Sequence, residues 1–188
     1  MTKSKRLSRS FYTRSALVVA KEVLGKYLIR VWRKRKIIGK IVEVEAYYGP
    51  KDRASHAYNW KRTKRNRAEY MQGGHIYIYL VYGMYWQCNI STGPAGHPEC
   101  FLIRAVEPVQ GFSGRLASGP GKLCRVFHLN KSFYGEDLTK SKRIWLEDNP
   151  EKFKIKRGPR IGIDYAGPYW SKIPWRFYIK DNPYVSKP

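Results

Sequence analysis

The run Ile41-Val42-Glu43-Val44-Glu45-Ala46-Tyr47 leaves this chain little choice of local structure. Its β-branched and aromatic residues favour an extended strand, and a period of two puts Ile41, Glu43, Glu45 and Tyr47 on one face and Val42, Val44 and Ala46 on the other. The second face is wholly apolar and needs a core to cover it. The first carries two carboxylates, in a chain whose 37 Lys+Arg against 14 Asp+Glu leave a net charge of +23. Taken alone, the pair reads as a solvated strand face that balances neighbouring cations, and the excess of those cations calls for an anionic partner.

Around this strand the sequence predicts one α+β domain spanning 1–188, with a short basic and flexible arm at 1–9. Hydrophobic residues at 43% and aromatics at 15% exclude a disordered chain. Leu17, Ala20, Val23 and Leu24 recur at helical spacing after Thr13-Arg14-Ser15, with Gly25 as the stop. Lys26 to Trp32 and Ile37 to Tyr48 form an antiparallel pair across a turn at Arg33-Lys34-Arg35-Lys36. The stretch from Lys51 to Arg67 reads as a long basic surface loop. His75 to Asn89 reads as a hairpin turning near Gly83, Cys100 to Val106 as a strand carrying a lone Arg104, and Ser118-Gly119-Pro120-Gly121 as the start of a helix over Lys122–Leu129. The longest apolar runs, such as Ala16 to Ala20, fall well short of the ~20 residues of a membrane span, so no membrane partner is expected and the protein is expected to be intracellular. Cys88, Cys100 and Cys124 are odd in number and lack C-x-x-C spacing, and read as small core residues.

The basic loop, with Tyr58 and Trp60 among its cations, has the composition of a phosphate-binding surface, and the charge points to nucleic acid. Glu45 at a strand end beside Tyr47 is a suitable mount for a carboxylate that activates water against a glycosidic bond, with Glu43 as a salt-bridged neighbour. Tyr47, His56, Tyr79 and Tyr82 fit, together, the needs of an enzyme that extrudes a base, which must be stacked between rings while a wedge fills the gap it leaves. The four histidines, His56, His75, His97 and His128, have no metal-ligand spacing, and no nucleotide-binding glycine motif is present, so neither metal nor cofactor is expected.

These residues carry a resemblance. The blocks Glu43-Val44-Glu45-Ala46-Tyr47-Tyr48-Gly49-Pro50, His56, Arg65-Asn66-Arg67, Tyr82-Gly83-Met84-Tyr85, Asn89-Ile90-Ser91, Leu102-Ile103-Arg104-Ala105-Val106-Glu107-Pro108 and Ser118-Gly119-Pro120-Gly121-Lys122-Leu123-Cys124 resemble, in order, the alkyladenine or 3-methyladenine DNA glycosylases of the mammalian type, and the likeness runs from Arg6-Leu7 to Val185-Ser186. The resemblance implies a curved antiparallel sheet with flanking helices and a protruding β-hairpin that enters the DNA minor groove. It implies that Glu45 deprotonates the attacking water and Arg104 helps to hold it, that Tyr47, His56 and Tyr79 enclose the flipped base, and that Asn89 disfavours the exocyclic amine of guanine while Ala46 helps to read the base edge. Tyr82 is then the intercalating residue, and Arg65, Arg67, Lys122 and Met84 meet the DNA backbone. The implied partner is double-stranded DNA containing damaged purines, bound by a monomer, with His56 considered as the proton source for neutral leaving bases.

Two other readings remain open on the sequence. Ser118-Gly119-Pro120-Gly121-Lys122 also suits a helix-hairpin-helix glycosylase, with the catalytic acid moved to Glu136 or Asp137. A basic protein that binds nucleic acid without catalysis would satisfy the composition as well.

Overall fold

In the computed structural model, which describes residues 5–187, the strand containing both carboxylates is the long axis of the molecule. Strand β1 (Tyr27–Trp32) pairs antiparallel with β2 (Arg35–Tyr47), and Trp32 faces Arg35, so the connection is a two-residue loop rather than the four-residue turn expected. Arg33 and Lys34 both have positive φ, 47° and 63°, the backbone that such a hairpin requires, here held by two cations instead of Asn-Gly. The arm expected to be flexible is docked from Lys5 onward. The Leu7 N–H donates to the Leu146 carbonyl, and Arg9 opens a helical turn, α1 (Arg9–Tyr12), while its guanidinium pairs with Asp137. The first four residues of the arm lie outside the described residues.

Helix α2 (Ala16–Glu22) starts at Ser15, whose side chain accepts the Leu17 N–H, and it ends short of the expected stop at Gly25. The hairpin is β3 (Ile76–Val81) and β4 (Tyr85–Thr92), followed by β5 (Glu99–Gln110), which is longer at both ends than its apolar run. Helix α3 (Pro120–Val126) begins and ends earlier than expected. Beyond it, β6 (Ile144–Glu147), β7 (Ile155–Gly158), α4 (Pro168–Lys172) and β8 (Arg176–Ile179) are elements of four or five residues with mixed charge, too short to show a period.

All eight strands form one antiparallel sheet, ordered β3-β4-β5-β2-β1-β6, with β8 also on β2 and β7 on β8. The α+β class and curved antiparallel sheet therefore match the expectation. Strand β2 spans 13 residues, enough to keep β5 along one edge while the other edge changes neighbour, from β1 at Arg35–Lys40 to β8 at Glu43–Glu45. The register against β5 slips at this point: Ile41 faces Val106 and Glu43 faces Ala105, which leaves Val42 as a bulge. A bulge adds twist and re-aims the residues beyond it. Both faces of β2 are covered there, so Val42, Val44 and Ala46 join the main core while Glu43 and Glu45 are buried as well. This corrects the reading of a solvated acidic face. The segment Lys51–Arg67 is also more ordered than a surface loop: Asp52, Ala54, Ser55, Ala57 and Asn66 are buried, and the Asn66 amide donates to the carbonyls of His56 and Lys61. All three cysteines are free and buried.

Candidate active site

The two strand carboxylates have different surroundings. Glu43 Oε1 lies between Arg104 Nε (3.1 Å) and Arg176 Nη1 (3.0 Å), and its Oε2 accepts the Ser186 N–H at 2.6 Å. Its partners are arginines and backbone on all sides, and it is an anchor. Glu45 Oε1 accepts the Ile161 N–H at 2.7 Å and sits 3.1 Å from Arg104 Nη1, while Oε2 accepts the Tyr47 hydroxyl at 3.0 Å. A carboxylate has about four acceptor positions, so one position on Oε2 is unfilled, and Glu45 lines a cavity. Burial raises the Glu45 pKa above the ordinary carboxylate range, against the opposing pull of Arg104, the Ile161 N–H and the Tyr47 hydroxyl. A carboxylate with a raised affinity for protons is a better base than one at the surface.

The cavity beside Glu45 has a volume of about 460 Å³, and Arg104, Tyr47, His56, Tyr79 and Tyr165 share its wall. The same four rings, of Tyr47, His56, Tyr79 and Tyr165, also border a smaller inner space of about 30 Å³ that continues to Asn89, Cys100 and Glu69. His56 meets Tyr79 edge to face with centroids 4.8 Å apart, and its Nδ1 is 2.7 Å from the Tyr77 hydroxyl. Burial, and then the charges of Arg65 and Lys61, lower the His56 pKa to about 4. His56 is therefore a neutral aromatic wall near pH 7 and does not carry the spare proton that the sequence reading considered for it.

Tyr47 is held from behind. Arg160 stacks its guanidinium 4.9 Å from the Tyr47 ring centroid and 5.1 Å from that of Trp175, and binds both oxygens of the buried Asp52. Sequence reading missed Asp52 and counted Arg160 among the cations for phosphate, which its burial corrects; the significance of both lies in a pairing across 108 residues. Tyr165 lies outside the site residues expected from sequence; its hydroxyl donates to the Ala54 carbonyl at 2.9 Å and its ring lines the cavity. Glu69 was also missed, since a single Glu in a basic stretch looks like surface charge.

Asn89 is buried on β4 and lines the inner space. Ala46 is not among the residues lining either cavity; its N–H donates to the Trp175 carbonyl and its carbonyl accepts from Arg160 at 3.0 Å. The hairpin tip places Tyr82 87% exposed and Met84 64% exposed. Tyr82 holds φ at 51° and Gly83 at 69°, and a left-handed backbone at a tyrosine costs roughly 1–2 kcal/mol. Arg65 is exposed at the cavity rim, its guanidinium 4.8 Å from the Tyr79 centroid, whereas Arg67 and Lys122 are exposed and line neither cavity. Tyr85 approaches α3 so closely that a Cβ at Gly121 would sit 3.0 Å from its ring.

The acids of the alternative enzyme reading are engaged elsewhere. Glu136 is bound by Arg143 and Ser141, and Asp137 by Arg9 and Thr139; neither borders the aromatic cavities.

A family model described as methylpurine-DNA glycosylase matches residues 10–183. Among curated relatives, a protein of Clostridium novyi (strain NT) is 43% identical, covering 97% of this chain and 99% of its own. One from Methanocella arvoryzae is 43% identical over 96% of both chains, and one from Natranaerobius thermophilus 39% identical over 96% of this chain and 98% of its own. All three are named "Putative 3-methyladenine DNA glycosylase". With a family model covering most of its length and relatives aligned nearly end to end, the chain belongs to the methylpurine-DNA glycosylase family.

Proposed function

We propose that this DNA glycosylase extrudes alkylated or deaminated purines from duplex DNA and hydrolyses the N-glycosidic bond with a water activated by Glu45, leaving an abasic site. The observation that carries this reading is a buried carboxylate with one unfilled acceptor position, on a residue that lines a cavity walled by Tyr47, His56, Tyr79 and Tyr165. N-alkylated purines are electron-poor and often cationic, so they stack well on electron-rich rings and leave readily from C1′. Among the described residues no lysine borders the cavity, which supports water rather than an amine as nucleophile, and hence base removal without strand cleavage. Arg104, bound to both Glu43 and Glu45, fixes the base and faces the same space as the water.

Tyr82 is the wedge in this scheme. Its exposure and its strained backbone at a hairpin tip are the marks of a residue kept for an outside partner. The tip would enter the minor groove, with Met84 beside it and Arg65, Arg67 and Lys122 on phosphates, the protein acting as a monomer. Incubation with duplexes containing 3-methyladenine, 7-methylguanine, hypoxanthine or ethenoadenine, followed by alkali and strand-length analysis, tests the reading: alkali-dependent cleavage at the lesion is expected, and intact strands with every lesion would refute it.

A further inference from the structure

At the inner end of the aromatic cavity is a carboxyl group that the scheme above does not use. Glu69, in the 3-10 turn Arg67–Tyr70, is 1% exposed and borders the inner space. Its Oε1 accepts the Cys100 thiol at 3.4 Å, and its Oε2 has no hydrogen-bond partner. An unpartnered buried carboxyl oxygen costs stability and calls for an explanation. Here the residue that carries it borders the space that a base between the four rings would enter with its far edge.

We propose that Glu69 determines specificity by pairing, as a neutral carboxylic acid, with the purine edge formed by position 1 and the substituent at position 6. This rests on the glycosylase reading above. The purine edge farthest from the glycosidic nitrogen is the one that reaches deepest when the sugar lies at Glu45. A carboxylic acid presents one O–H donor and one C=O acceptor side by side. With a 6-oxo purine the O–H donates to O6 and the C=O accepts N1–H; with a 6-amino purine the O–H donates to N1 and the C=O accepts an amine hydrogen. An etheno bridge across positions 1 and 6 blocks N1 and removes both amine hydrogens: the O–H can still donate to N6, but the C=O is left without a donor and one of the two bonds is lost. The slot thus favours hypoxanthine and simple alkylpurines over bridged adenines.

The surroundings keep the proton on. Burial pushes the Glu69 carboxyl up to about 8, opposed by the Cys100 thiol and the nearby Asn66 side chain and assisted by the charge of Asp52. Among the described residues, Cys100 on β5, Tyr77 and Tyr79 on β3, Tyr70 and Tyr134 are held protonated and neutral by burial, His56 is neutral and Asp52 is paired with Arg160, while the guanidinium groups of Arg65 and Arg62 stack on the rings of Tyr79 and Tyr70.

The test compares kcat/KM for hypoxanthine and ethenoadenine duplexes in the wild type, Glu69→Leu and Glu69→Gln. In Glu69→Leu the preference for hypoxanthine is expected to fall by about tenfold or more, the usual consequence of leaving a substrate's polar edge unpaired. Glu69→Gln keeps a donor and an acceptor but cannot titrate, so it should recover part of that preference and lose the decline in hypoxanthine excision that the wild type shows as pH rises through about 8. An unchanged preference in Glu69→Leu, or the same alkaline decline in the wild type and Glu69→Gln, overturns the inference and leaves the glycosylase reading intact. A wild-type protein that releases no purine from either duplex overturns both. Each variant removes an unpaired buried carboxyl, so a thermal melt at pH 9 should find both at least as stable as the wild type.

Discussion

Glu45→Gln and Glu43→Gln should separate chemistry from structure, because the two carboxylates share Arg104 but differ in everything else they touch. In Glu45→Gln the amide oxygen can still accept the Ile161 N–H, and Arg104 keeps Glu43 at 3.1 Å. The structural loss is then one charge-assisted pair, about 1–2 kcal/mol, or a fall in Tm of roughly 2–8 °C for a chain of this length. The chemical loss is much larger. Removing a general base costs about 10²–10⁴ in rate, roughly 3–5 kcal/mol, and loss of the negative charge beside an oxocarbenium-like centre adds to it. Glu43→Gln reverses the order: it strips the counter-charge from Arg176 and half of that from Arg104 inside the fold, at a cost of about 3–5 kcal/mol in stability, while Glu45 stays in place. Single-turnover excision at saturating enzyme, set beside thermal melts and binding to an abasic-site duplex, reads all three quantities. Glu45→Gln should bind the abasic duplex almost normally, melt a few degrees low and lose excision by at least two orders of magnitude. If Glu45→Gln excises within tenfold of the wild type, or if Glu43→Gln is the more damaged in rate and the less damaged in stability, the division of roles is wrong.

Tyr82→Ala removes a ring that packs on nothing in the free protein, so stability should move by less than about 0.5 kcal/mol, whereas affinity for lesion duplex should fall more than affinity for undamaged duplex; equal losses on both would rule out a wedge. Affinity for any duplex should drop by roughly 10³-fold or more between 50 and 200 mM salt if about six phosphates are contacted, and a flat titration would remove phosphate binding as the basis of the charge. His56 has its pKa lowered to about 4 from an ordinary 6.5, so the folded state binds fewer protons than the unfolded chain, and stability should be lost as pH falls from about 6.5 through 4. His56→Gln should flatten that part of a pH–Tm curve, by at most about 3 kcal/mol; a curve identical to the wild type would mean that the ring is not held neutral.

Much of this architecture is legible where the pattern is long and local. The 13-residue β2, the hairpin with Tyr82-Gly83 at its tip and the apolar run of β5 announce themselves through period-two alternation and turn chemistry, and Glu45, Tyr47 and Tyr79 stand out as candidates from their places on those strands, whereas the part given to Arg104 comes from the family resemblance. What sequence hides is burial and partnership. The same alternation that put Glu43 and Glu45 on one face said nothing of the C-terminal chain that covers it, because Arg176 and Ser186 arrive from more than 130 residues away. Glu69 and Asp52 likewise look like ordinary surface charges until the fold encloses them, and strands such as β7 and β8 depend on the long neighbour they pair with rather than on any periodicity of their own.

The buried charges themselves argue for function over stability. Glu43, Glu45 and Asp52 are enclosed with Arg104, Arg160 and Arg176 in the same part of the fold. Desolvating six charges is expensive, and well-packed apolar side chains of the same volume would commonly serve the fold as well or better. In this arrangement Arg160 braces the Tyr47 ring, Arg104 fixes the Glu45 carboxylate, and Glu43 holds Arg104 and Arg176 in turn. Each ion pair ends on a group that faces the cavity or supports one that does. A site that must hold a reactive carboxylate and a stacking ring in fixed relation needs rigidity that apolar contacts alone do not direct, and buried, geometrically constrained pairs provide it. Replacing the Asp52–Arg160 pair with a Leu–Met pair should therefore leave the chain folded at a similar Tm while the rate of excision falls; a rate that tracks stability instead would place the pair in the scaffold and not in the site.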